Sequence, residues 1–172
     1  MSMIPEGNES KITKVAVAVD FSEHSTDAMD VGIAFASTAG MTEIVCLHVY
    51  NVPSGYYKTG KSYEQFAEVM KKNAERNYQE FISQFDLKGL TVTPLFVLHK
   101  NTEKGIKETV DKEQIDLVIM ATLGRSAGAA IVMGSPMEKL ICMTNVPLVA
   151  VKKKGAGLSF LEALLKQAKF GE

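Results

Sequence analysis

Short runs of consecutive apolar residues alternate along this chain with longer stretches in which apolar residues recur every three or four positions. Val15–Val19, Ile44–Val49, Leu117–Ala121 and Leu148–Val151 are the short runs. Apolar runs of that length predict strands, with Val15–Val19 and Leu117–Ala121 buried on both faces, as a parallel sheet requires. Thr91–Leu98 predicts one more strand, third in chain order, and Pro94 within it points to an edge or a bulge. The periodic stretches predict helices. Ser22 caps the first, which runs to about Ala39 with Ala28, Val31, Gly32, Phe35 and Ala36 facing the core, and Gly40 ends it. Asn51–Lys61 is a loop carrying Tyr56 and Tyr57. A second helix runs from Tyr63 to about Phe85, with Phe66, Val69, Met70, Tyr78, Phe81, Ile82 and Phe85 as its stripe. Thr102–Lys112 and Pro136–Met143 complete the set.

Strands alternating with helices imply right-handed crossovers and an α/β fold, an open five-stranded parallel sheet with helices on both faces. There is no internal repeat and no second domain. Residues 1–11 read as a flexible leader, 12–152 as the domain, and 153–172 as a linker with an amphipathic C-terminal helix. Leu158, Leu161, Leu164, Leu165 and Ala168 share one face of that tail helix. So short a helix is marginal alone in water and needs that face covered, by its own domain, a partner subunit or a membrane surface. Docking on protein is expected, because Lys166 and Lys169 are few for a membrane-bound polar face.

Composition changes this picture little. At 172 residues, 46% hydrophobic and 23% charged, the chain suits one globular domain with a sizeable core. A formal net charge of −1 gives no global reason to expect a nucleic acid or acidic membrane partner. Cys46 and Cys142 lie within apolar runs and read as buried thiols in a reducing compartment. The first residues are polar and unlike a secretion signal, and no apolar run reaches membrane-span length, so a cytoplasmic location is expected.

The candidate chemistry lies between the last two strands. After Leu117–Ala121 comes a loop of small residues, Gly124, Ser126, Ala127, Gly128, Ala129 and Ala130, and then Gly134-Ser135-Pro136-Met137-Glu138. Ser135 as N-cap, Pro136 at the first helical position and Glu138 three residues after the cap form a capping box. Small side chains let backbone N–H groups face a ligand, and a helix start adds unpaired donors and partial positive charge, which suits phosphate. A capped helix after a tight loop, with no ligand, reads equally well from this loop alone. Other chemistries are poorly served: GxxxxGK[ST] is absent, GxGxxG does not follow the first strand, and His24, His48 and His99 lie in no nucleophile-elbow context. His48, within a strand, reads as a buried, hydrogen-bonded side chain. No His/Cys/Asp cluster has metal-ligand spacing.

Gly124, nine intervening residues and then Gly134-Ser135 resemble the nucleotide loop of the universal stress proteins, whose pattern is glycine, two residues, glycine, nine residues, glycine and serine or threonine. Asp20-Phe21-Ser22 is similar to the family's element after its first strand. The resemblance spans about residues 12–152. It implies the strand order 3-2-1-4-5 of the adenine-nucleotide alpha-hydrolase-like folds, with the reversal between strands one and four, where ligands of open parallel sheets bind. It also implies a cytoplasmic stress-response protein binding ATP or AMP, with Mg as an accompanying ion and at most slow hydrolysis. No catalytic residue is named. Carried over residue by residue, the adenine pocket maps to Ala18 and Val49 with Met120 and Ala121, the ribose partner to Asp20, and the phosphate-facing positions to Gly124, Gly134, Ser135 and Pro136. Asp20 equally reads as a turn residue or helix cap. The chain departs from the pattern at Ala121, where the family has its first glycine; the added methyl predicts weaker binding. A nucleotide-free member acting through protein contacts is the alternative. Family members commonly pair strand five antiparallel with its copy, which implies a homodimer through that edge.

Overall fold

The computed structural model describes residues 12–122, 139–140 and 142–152. Five strands form one parallel sheet: β1 (Val15–Ala18), β2 (Glu43–Tyr50), β3 (Thr91–Leu98), β4 (Leu117–Ala121) and β5 (Leu148–Val151), ordered β3-β2-β1-β4-β5. The expected class and order are what the structure has. Every residue of β1 is buried, as a central strand covered on both faces should be. Three helices longer than one turn are described: α1 (Glu23–Thr38), α2 (Tyr63–Ile82) and α3 (Thr102–Glu113). Residues 139–140 and 142–143 are helical too; the predicted start of that helix, the loop before it, the leader and the tail lie outside the described residues.

The two sides of the sheet hold separate cores. Val15, Val17, Ile44 and Ile119 pack with Met29, Ile33 and Phe35 of α1 and Tyr78 and Phe81 of α2. Ala16, Ala18, Leu47 and Met120 face the other way, onto Ile106 and Val110 of α3 and onto Leu140. Successive strand residues point to opposite faces, so each uninterrupted apolar run supplies both cores at once.

Three local expectations need correction. Val69 is 36% exposed, and α2 buries only Ala74, Tyr78 and Phe81. The first turns of α2 pack on a 3-10 turn, Tyr56–Thr59, with Tyr56 5.6 Å from Tyr63 and 6.5 Å from Phe66 between ring centroids. Phe85 lies beyond the helix, yet still joins the core, 5.0 Å from Phe81. Cys142 is exposed, whereas Cys46 is buried as read. Leu140 faces the core at 0% exposure, and a residue two positions further round a helix points away from it. Burial pushes the Cys46 thiol up to about 12, so it is no nucleophile. Pro94 sits in unbroken register opposite Cys46, so of the two readings of that proline the edge strand holds, and the bulge does not.

The start of the domain is tied to the strand beside it. Asp116 Oδ2 accepts hydrogen bonds from the Thr13 N–H (2.8 Å), the Thr13 hydroxyl (2.7 Å) and the Lys14 N–H (2.8 Å). Burial works to raise the pKa of this carboxyl, but the Thr13 and Lys14 donors outweigh it and hold it below the usual range. This register lock sits at the amino ends of β1 and β4, opposite the end where ligands bind such sheets.

Candidate functional site

Strand order reverses between β1, whose neighbours are β2 and β4, and the outer pair β4-β5, so the crevice of this fold opens beyond the carboxyl ends of β1 and β4. Asp20 stands there, two residues past β1. Its Oδ1 accepts from the Ser22 N–H at 3.0 Å and from the Ser25 hydroxyl at 2.7 Å. Ser25 Oγ accepts in turn from the Asp20 N–H at 2.9 Å, and Ser22 Oγ caps α1 by accepting from the Ser25 N–H. Asp20 is thus the turn residue that its structural reading required. The closed ring of hydrogen bonds fixes both the carboxylate and the first turn of α1.

Between Asp20 and the cap, Phe21 has φ +60°, a left-handed backbone that a bulky residue rarely adopts and that surrounding contacts must hold. Those contacts are visible. The Phe21 ring lies 4.4 Å from the His48 ring and 5.5 Å from that of Phe81, and the Asp20 ring of hydrogen bonds closes around its backbone. His48 Nδ1 is 2.8 Å from the Val19 carbonyl; since a carbonyl only accepts, Nδ1 carries the proton. The expectation of a hydrogen-bonded strand histidine holds, although the side chain is half-buried. His48 supports the turn from beneath.

The positions read as an adenine pocket divide between the faces. Ala18 and Met120 are register partners across β1 and β4, and Val49 packs on the same side, against the α3 core. Ala121, opposite Val151 in β5, packs towards the α1 face. Gly124, Gly134, Ser135 and Pro136 lie outside the described residues.

Two features escaped sequence reading. At Gly105, in the first turns of α3, a Cβ would come within 2.9 Å of His99 Cβ and 3.0 Å of Val49 Cγ1, so this glycine lets α3 close on the β2 edge of the crevice. A glycine inside a helical pattern was the available signal. The other is Glu103, a buried carboxylate at 6% exposure, whose Oε1 meets Lys139 Nζ at 3.2 Å. Burial works to raise its pKa, but its own backbone N–H and Lys139 outweigh that and hold the carboxyl low. Among the described residues no group of His, Cys, Asp or Glu could hold a metal ion, and no helix is long and apolar enough to cross a membrane.

An open parallel sheet in this order, with a rigid acidic turn at its switch point, defines the class: a doubly wound α/β protein whose switch point lies between its first and fourth strands. The family model for the universal stress protein family matches residues 11–152, and the chain belongs to that family. It is 26% identical to universal stress protein MJ0577 of Methanocaldococcus jannaschii, over 83% of this chain and 96% of that protein. Universal stress protein MJ0531 of the same organism is 23% identical, over 89% of each. The solved structure of MJ0577 superposes with a TM-score of 0.68 at 22% identity, covering 85% of this chain and all of that one. A universal stress protein from Archaeoglobus fulgidus, solved in complex with dAMP, superposes at 0.56 and 18% identity, covering 83% of this chain and all of that one.

Proposed function

We propose that the protein binds an adenine nucleotide, ATP or AMP, in the crevice between β1 and β4, as a cytoplasmic stress-response protein. Any hydrolysis is expected to be slow, because the described residues present no evident base or arginine finger for it. The observation that carries the reading is Asp20, a carboxylate fixed in direction at the switch point of the sheet. A carboxylate so placed can accept hydrogen bonds from a ribose diol. Ala18, Val49 and Met120 would face the base, and Ala121 would border it. Gly124, Gly134, Ser135 and Pro136 would face the phosphates, with Mg accompanying ATP. Solved family members in complex with cAMP and with dAMP support the ligand class. Calorimetric titration of the full chain with ATP and AMP tests it.

One observation favours a second reading, a nucleotide-free member acting through protein contacts. Ala121 occupies the position of the family's first glycine, so the chain departs there from the family's nucleotide pattern. The titration separates the two readings, since only the first requires binding.

A homodimer through β5 belongs to the same proposal. Among the described residues β5 is an outer strand paired with β4, and an apolar edge strand invites pairing with a second copy. Light scattering at micromolar concentration is expected to give the mass of two chains; the mass of one would count against it.

A further inference from the structure

Glu103 and Lys139 join two elements that the sheet topology alone leaves independent. Glu103 lies in the first turn of α3, which follows β3, while Lys139 lies in the helical stretch before β5. Their side chains meet at 3.2 Å, with Glu103 buried and Lys139 largely exposed. Next to Lys139, Leu140 is fully buried in the core formed by Ile106 and Val110 of α3 with Ala18 and Met120 of the sheet. The stretch is therefore held at successive residues, by an ion pair and by an apolar anchor, and both holds are on α3. A carboxylate is costly to bury without a partner, so the pair is not an incidental surface contact.

We propose that Glu103 is a positioning residue: through Lys139 it fixes the helical stretch at Lys139 and Leu140 on α3, beside Ala18 and Met120 at the carboxyl ends of β1 and β4. Ala18 ends β1 and Met120 lies next to the end of β4, so a shift of the stretch that carries Leu140 is felt beside the crevice. The consequence for a ligand rests on the nucleotide reading given above; the brace itself does not.

The two roles open to Glu103 differ in sign. If its charge acts on the ligand only through space, Glu103→Gln removes a negative charge and releases Lys139, and ATP binds more tightly. If Glu103 positions the segment, the same substitution weakens ATP binding, by about two- to thirty-fold for coupling of ordinary strength. The titration is run at a temperature where circular dichroism shows the variant folded, so global stability does not enter. Lys139→Met breaks the same contact, and in a double-mutant cycle the two substitutions together should cost less than the sum of each alone. Amide hydrogen exchange supplies a readout without ligand: peptides spanning residues 139–144 are expected to exchange faster in Glu103→Gln than in the unsubstituted protein. Tighter or unchanged ATP binding by Glu103→Gln overturns the proposal. Should the unsubstituted protein bind no ATP, the nucleotide reading has failed and exchange decides the brace alone. Faster exchange then supports it, and unchanged exchange overturns it.

Discussion

Asp20→Asn is expected to weaken ATP binding by about ten- to a hundred-fold, the equivalent of one lost hydrogen bond to a charged group, while the protein stays folded. The structure makes asparagine a cleaner test than alanine. Asp20 Oδ1 already accepts from the Ser22 N–H and the Ser25 hydroxyl, and an amide oxygen can keep both. What the amide lacks is a second acceptor, because its nitrogen only donates. Asp20→Ala removes the whole ring, loosens the cap of α1 and frees the strained Phe21 turn. It should cost stability of about 1 kcal/mol as well as affinity. Calorimetry with ATP on the asparagine variant checks the ribose assignment; an affinity equal to that of the unsubstituted protein would sink it.

Gly32→Val should have the larger effect on the fold. Gly32 is in the middle of α1, where glycine costs about 1 kcal/mol relative to alanine. Its position explains the choice: a Cβ there would stand 2.4 Å from Val17 Cγ2 in the central strand. Val17 is β-branched, buried at 0% exposure and unable to swing aside, so α1 must lift off the sheet. Overpacking of this kind costs about 3 kcal/mol, or a fall in melting temperature of about 6 to 12 °C for a chain of this size. Gly32→Ala should cost less, since a single methyl meets the clash while the helix gains propensity. A thermal melt of the valine variant matching the unsubstituted protein would mean that α1 does not approach the sheet this closely.

Most of the scaffold was legible in the chain, for a physical reason. A central parallel strand buries both faces, so Leu117–Ala121 announces itself as an apolar run whose ends fall where the structure puts them, whereas Leu148–Val151, equally apolar and equally well bounded, is an outer strand with Ala150 exposed. Helix ends were legible where a side chain makes the cap: Ser22 starts α1 as read, by accepting from Ser25. Burial along α2 was less legible, because periodicity shows which face is apolar but not how far along its length that face is covered. Val69 lies on the apolar stripe and is still exposed. In the site, Asp20 could be read because it follows a strand closely. Phe21 in a left-handed turn could not, since nothing in the residue type announces a positive φ. Nor could Glu103, because 36 residues separate it from Lys139 and only the fold brings them together.

The crevice beyond β1 and β4 is proposed to take an adenine nucleotide. Calorimetric titration of the full chain with ATP, with and without magnesium, and separately with AMP, tests it most directly. Saturable binding of one nucleotide per chain is the expected result with at least one of them. No saturable heat from either, up to about millimolar concentration where binding free energies fall near 4 kcal/mol, would contradict it.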